Sequence, residues 1–215
     1  MGATISKQHE YIVPQKQHLH VFKNCEFCSN QESGFILSKK IGSLGDFKIK
    51  NELGNKIFNV ISNEFRFTNE KVIYNDDGPL VIIKKKTLGL LGKRFNIYSP
   101  DNSKKPLMTI TSHFKITLTK VSVIIKDINT GLKSKIILQG NLLNNSAHIY
   151  KGNPKKNGEP IALLNKSVSL RSIIAKEYTI TIASGMDQLL MIIMALIFDD
   201  IHTDTDKKTT FTLQI

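Results

Sequence analysis

Tryptophan is missing from this chain of 215 residues, and cysteine is limited to Cys25 and Cys28. Two thiols do not make a disulfide framework, and the first 30 residues hold no continuous apolar segment of secretory type, so the expected setting is the reducing cytoplasm. Enzymatic signatures are missing as well. There is no G-x-x-x-x-G-K-[ST], no G-x-G-x-x-G, no H-E-x-x-H and no G-x-S-x-G, which leaves phosphate-loop, dinucleotide, zinc-protease and serine-hydrolase chemistry without a carrier. The carboxylate pairs Asp76-Asp77 and Asp199-Asp200 read as a turn former and a helix end, because neighbours on a strand point to opposite faces. His113, His148 and His202 stand apart along the chain and read as structural. The expectation is a protein with no catalytic residue, no metal and no cofactor.

Acidic residues are in short supply: 18 Asp and Glu face 30 Lys and Arg, for a formal charge of +12. That excess draws anionic partners of any kind, whether phospholipid headgroups, nucleic acid or acidic proteins. Long hydrophobic runs are scarce too. The longest, Leu189 to Phe198, follows an alternating segment from Tyr178 to Ala183 and a break at Ser184-Gly185. It has no polar face at helical spacing, so it must be enclosed by protein or by lipid. A bilayer span needs about 20 apolar residues, and Asp187 on one side and Asp199 with Asp200 on the other stop this run well short. A buried core helix built on Leu189, Leu190, Ile192, Ile193, Leu196 and Ile197 is the reading that length favours.

What is abundant is period-2 alternation between turn residues. Phe35 to Ile41, Asp46 to Lys50, Lys56 to Ile61, Glu64 to Thr68, Lys71 to Tyr74 and Leu80 to Lys86 form a run of hairpins, with Asn75 to Pro79 as a sharp turn. His113 to Asp127 and Leu132 to Gly140 read as a long pair about Asn129-Thr130-Gly131. The segments Ile97 to Leu107 and Ile149 to Ile161 echo each other as strand, lysine-bearing loop and return strand. Thr210 to Ile215 reads as a short closing strand. The fold class predicted is mainly β: a closed antiparallel barrel of about twelve strands around one buried C-terminal helix, spanning residues 34–215 behind a flexible tail of residues 1–33.

The tail begins Met1-Gly2-Ala3-Thr4-Ile5-Ser6, which fits the N-myristoylation pattern and makes Gly2 the candidate lipid anchor. His18, His20, Cys25 and Cys28 are zinc-ligand types, but His18 and His20 alternate as on a short strand rather than a ligating loop, and ordinary reduced thiols are preferred to zinc or palmitoylation. Lys84, Lys85, Lys86, Lys93, Arg94, Lys104, Lys105, Lys155 and Lys156 fall at predicted strand ends and loops, where a barrel exposes them to anionic headgroups. Nucleic acid is disfavoured because no aromatic residues are interleaved with these lysines for base stacking.

Between Phe35 and His202 the chain resembles the LURP-one-related proteins, which belong with the tubby C-terminal domain and the phospholipid scramblases. The resemblance is carried by Phe47 to Lys50 with Leu53 to Val60, by Asp77 to Leu80, by Arg94 to Tyr98, and by Tyr178 to His202. Phe95 stands where the family commonly has Trp, a change that a core can absorb. The resemblance implies a twelve-stranded barrel threaded by a hydrophobic helix. It carries over no lipid-binding residue, since no stretch aligns with the headgroup site of tubby. The function expected is a non-enzymatic, membrane-associated adaptor for phospholipid or phosphoinositide, peripheral at the inner membrane face and also open to protein partners. The alternatives are lipid transport of scramblase type and a soluble tubby-like regulator.

Overall fold

Alternation of apolar and polar residues gives each strand one face to bury, and twelve such strands close into a barrel in the computed structural model. It describes residues 11–22, 27–40, 42–43, 45–63, 69–87, 92–115, 118–141, 146–167 and 176–212. The strands are β1 (Ser33–Lys39), β2 (Phe47–Asn51), β3 (Lys56–Ser62), β4 (Glu70–Asn75), β5 (Gly78–Thr87), β6 (Lys93–Tyr98), β7 (Met108–Lys115), β8 (Leu118–Lys126), β9 (Lys133–Asn141), β10 (Ser146–Lys151), β11 (Glu159–Lys166) and β12 (Glu177–Ile182). Each is antiparallel to the next, and β1 pairs with β12 from Ser33↔Ile182 to Ser38↔Glu177. Closure leaves no strand edge to template aggregation.

An up-and-down order sorts the connections by end. The turns after β2, β4, β6, β8 and β10 lie at the end where β12 finishes and the helix begins, called the lower end here. The remaining connections lie at the upper end. Register shifts at Ile49/Lys50, Ile73/Tyr74 and Ile149/Tyr150 sit just before three of the lower turns, where bulges add twist at a barrel rim.

The helix α1 (Gln188–Thr212) enters at the lower end and runs up the barrel axis. From Leu189 to Phe198 no side chain is more than 4% exposed. Full burial of each large aliphatic contributes about 1.5–3 kcal/mol, so this run supplies the core on which all the inward strand faces pack. Phe198 fits against β9 only because Gly140 has no side chain: a Cβ there would lie 2.9 Å from the ring and 2.5 Å from Ala147 Cβ.

Three expectations change. The run from His113 to Asp127 is not one strand, because Lys115 and Leu118 pair across a reversal between β7 and β8. Asp199 and Asp200 do not end the helix: lysines inside the barrel meet them, and α1 continues to Thr212, so Thr210 to Thr212 are helical rather than a closing strand. Finally, residues 11–22 and 27–33 are not a free tail but an arm laid across the lower end, with Leu19, Phe22 and Phe27 buried. Its amides at Gln15 and Leu19 donate to the carbonyls of Ser184 and Gly185 at 3.0 and 2.8 Å. Gly185 (φ 79°) is needed there, since a Cβ would meet the Gln15 carbonyl oxygen at 2.5 Å. The sequence expected a strand at Glu64 to Thr68, which lies outside the described residues, as do Gly2 and Cys25.

Candidate functional site

The nine basic residues singled out in the sequence do not form one surface. Lys84, Lys85, Lys86, Lys93 and Arg94 sit where β5 ends and β6 begins, at the upper end, whereas Lys104 and Lys105 in the β6–β7 loop and Lys155 and Lys156 in a 3-10 turn before β11 belong to the lower end. Strand alternation separates them further. Lys85 points inward and its Nζ lies 3.0 Å from Asp200 Oδ2, so it is spent on the core. Lys84 and Lys86 point outward, Lys86 opposite Arg94, and Lys84 lies 3.4 Å from Glu70 and 5.4 Å from the centre of the Tyr98 ring.

A broader basic surface went unnoticed in the sequence. From Gly78 to Asn141 there are twelve Lys and Arg against two acidic residues, Asp101 and Asp127, so this stretch holds +10 of the chain's +12. Strands β5 to β9 themselves contain no Asp or Glu. Alternation places Lys84, Lys86, Arg94, Lys120, Lys126, Lys133 and Lys135 on their outer face. Period-2 spacing in β8, with Lys120 and Lys126 on the face opposite buried Val121, Val123 and Ile125, was the signal that could have found it.

At the foot of this wall lies a surface groove of about 440 Å³, lined by Leu107, Met108, Ile124, Ile125 and Ile128 with Lys126 and Lys133 at its rim. Leu107 and Ile124 are more than half exposed, as is Leu132 in the adjoining β8–β9 turn. Val21 of the arm closes one side. Asp127 holds that turn and the arm together: its carboxylate accepts the His20 amide at 2.8 Å, the Asn129 and Thr130 amides at 3.0 and 2.7 Å and the Thr130 hydroxyl at 2.9 Å. Burial works to raise its pKa, and these hydrogen bonds more than offset that and lower it.

Two other carboxylates fix the helix. Asp187 caps its start, Oδ1 accepting the Leu190 amide at 3.0 Å while Oδ2 accepts Val21 and Phe22 amides of the arm at 3.1 and 3.4 Å. Burial pushes its pKa up to about 6, against the opposing pull of those amides and of His20. At the upper end Asp200 meets Lys71 Nζ at 2.7 Å and Lys85 Nζ at 3.0 Å. Burial would raise this carboxyl too, but the two ammonium groups hold it down at about 2. Beside it Asp199 accepts from Tyr178 Oη at 2.8 Å and pairs with Lys39 at 3.2 Å.

Metal-binding geometry is not assembled among the described residues. No three His, Cys, Asp or Glu side chains are grouped to hold an ion. The His18 and His20 rings are 5.8 Å apart and the Cys28 thiol donates to the Leu19 carbonyl at 3.1 Å. His113 and His148 lie on outward strand positions, His148 beside Tyr150, and His202 packs on Phe198. The predicted core residues Leu189, Leu190, Ile192, Ile193, Leu196 and Ile197 are all buried to 1% exposure or less.

Comparison with known proteins follows the fold. The chain is similar to a protein of Arabidopsis thaliana of known X-ray structure, with a TM-score of 0.58 over 82% of this chain and 95% of that one, at 16% identity. Likeness at that identity concerns the fold, which is the helix-threaded barrel that the sequence led us to expect. No curated protein matches the chain. A family model described as LURP-one-related matches residues 34–199, the barrel from the start of β1 to the middle of α1, and the chain therefore belongs to the LURP-one-related family.

Proposed function

We propose that this protein is a non-enzymatic adaptor that docks on anionic phospholipid at the cytoplasmic face of a membrane through the outer wall of β5 to β9. The observation that carries this reading is the concentration of +10 of the net charge in residues 78–141, where seven basic side chains face outward on strands that bear no carboxylate. Each Lys or Arg brought to an anionic leaflet contributes about 1 kcal/mol, and the attraction falls with salt. A myristoyl chain on Gly2 gives only marginal binding alone, and a basic surface is the second signal that makes such anchoring stable.

The interior argues against lipid movement through the barrel, because the helix that would have to leave is packed on every side and ion-paired through Asp199 and Asp200. Among the described residues no helix is long and apolar enough to cross a membrane. Vesicle sedimentation tests the proposal, with wild type, Gly2→Ala and the double variant Lys120→Glu/Lys133→Glu compared on neutral vesicles, phosphatidylserine vesicles and phosphoinositide vesicles of equal charge. Wild type is expected to sediment with both anionic kinds and the double variant to lose most of that binding. Wild type that stays in the supernatant with every anionic vesicle overturns the lipid reading and leaves an acidic protein as the partner for the wall.

A further inference from the structure

We infer that the groove at the foot of the basic wall, with the β8–β9 turn beside it, is the point at which this protein enters the hydrocarbon edge of the bilayer. The inference rests on the lipid-docking reading above and adds to it an orientation and an insertion site. Seven large apolar side chains are exposed among the described residues; three of them, Leu107, Ile124 and Ile128, line this groove, and a fourth, Leu132, stands in the turn beside it. Exposed apolar groups clustered within a polar rim mark an interaction surface.

The rim selects the occupant. Lys126 and Lys133 line the groove, and Lys104 and Lys105 lie in the loop that delivers Leu107. Apolar residues for the acyl boundary beneath lysines for the headgroups is the arrangement of an interfacial anchor. A second copy is a poor fit, since a two-fold interface would set this lysine rim against itself. An acidic protein would satisfy the lysines but leave the apolar tips without a role of their own.

The turn itself is prepared for leaving water. Every backbone amide from Asp127 to Leu132 has a partner: Asp127 donates to the Leu132 carbonyl, Ile128 to the His20 carbonyl, Gly131 to the Asp127 carbonyl, Asn129 and Thr130 to the Asp127 carboxylate, and Leu132 to the Thr130 hydroxyl. Backbone entering hydrocarbon must have its N–H groups satisfied internally. This turn meets the N–H half of that demand before any lipid arrives, and the arm residue His20 is part of how it does so. The same hydrogen bonds fix the backbone that carries Ile128 and Leu132.

The absence of tryptophan makes the test direct. Ile128→Trp and, separately, Leu132→Trp place a single fluorophore in the turn, and Leu53→Trp places one on the β2–β3 turn, where Leu53 is 84% exposed. With phosphatidylserine vesicles the two β8–β9 reporters are expected to shift to the blue and to be quenched by bromine-labelled acyl chains, while the Leu53 reporter is not. Ile128→Ser and Leu132→Ser are expected to weaken vesicle binding about tenfold each, a loss that added salt does not enlarge, since what is removed is apolar contact. If wild type sediments with anionic vesicles but neither turn reporter shifts, the lipid reading stands and the insertion site is wrong. If wild type does not sediment, both fall. A blue shift that grows with protein concentration and needs no vesicle assigns the groove to a second copy and overturns the inference.

Discussion

Asp187 and Asp200 are both buried carboxylates of one helix segment, thirteen positions apart in the chain, and the barrel treats them oppositely. At the lower end Asp187 is met by backbone amides, two of them from the arm, and its pKa rises to about 6. At the upper end Asp200 is met by two lysines that reach inward from β4 and β5, and its pKa falls to about 2. Burial acts the same way on both. The difference lies in whether a full positive charge is supplied to offset it. The lower end is thus joined by hydrogen bonds, which release the arm without stranding a cation, while the upper end is an ion-pair cluster that cannot open without leaving charge in the core. This division places the strong fastening away from the groove and the weaker one beside it, where Val21 forms part of the wall.

The largest expected effect comes from adding a carboxylate where neither device reaches it. Ile193 is fully buried midway between the two aspartates, and Ile193→Asp is expected to prevent folding, because no amide or lysine is there to receive the charge. Leu190→Ala, which only empties space, should cost about 2–5 kcal/mol. Urea melts followed by circular dichroism read both, and an unshifted midpoint for Leu190→Ala would sink the barrel-core account of this helix.

Removing the carboxylates one at a time sharpens the contrast. Asp200→Ala removes the carboxylate that Lys71 and Lys85 share, and the cost of breaking such a buried pair is about 3–5 kcal/mol. Asp187→Ala loses three hydrogen bonds but also removes a buried charge that had no lysine beside it, so its cost should stay within the capping range, about 0.5–2 kcal/mol. Where they act should differ too. Hydrogen exchange in residues 11–22 is expected to rise for Asp187→Ala and to stay at the wild-type level for Asp200→Ala. Equal costs with equal exchange would mean that the two ends are fastened alike.

Much of this was open to reading in the sequence because the signals were periodic. Period-2 runs marked the strands, and a helix without a polar face required a container, so barrel and core helix followed together. What escaped notice depended on contacts distant in sequence. Asp199 and Asp200 read as a helix end because nothing local shows that Lys39, Lys71 and Lys85, more than a hundred residues earlier, point inward at their height. The arm read as a tail for the same reason: Leu19 and Phe22 gain burial only against a barrel end formed by the rest of the chain. Lys85 shows the limit most plainly. In Lys84-Lys85-Lys86 composition is identical at all three positions, and only strand parity sends the middle one to Asp200 and its neighbours to solvent.

The two ends should also part company on titration, by a smaller amount. The folded pKa of Asp200, about 2, lies below its ordinary value of 3.8, so its contribution is present above pH 4 and is lost as pH falls toward 2, amounting to about 2 kcal/mol. For Asp187 the sign reverses. Its folded pKa of about 6 lies above 3.8, so the folded state holds the proton more tightly, and the stabilisation present below pH 4 is lost as pH rises through 6, by about 3 kcal/mol at most. Other carboxylates titrate in the same range, so the comparison that isolates each group is wild type against its amide variant. The urea midpoint measured from pH 3 to pH 8 should show Asp187→Asn gaining on wild type between pH 4 and pH 7, because the amide keeps an acceptor for the arm and never ionises. Asp200→Asn should fall behind wild type at neutral pH, with the gap narrowing as pH falls from 4 to 3. A gap between Asp187→Asn and wild type that is the same at every pH would show that the lower carboxylate titrates as an ordinary aspartate, and the contrast between the two ends would reduce to hydrogen-bond count.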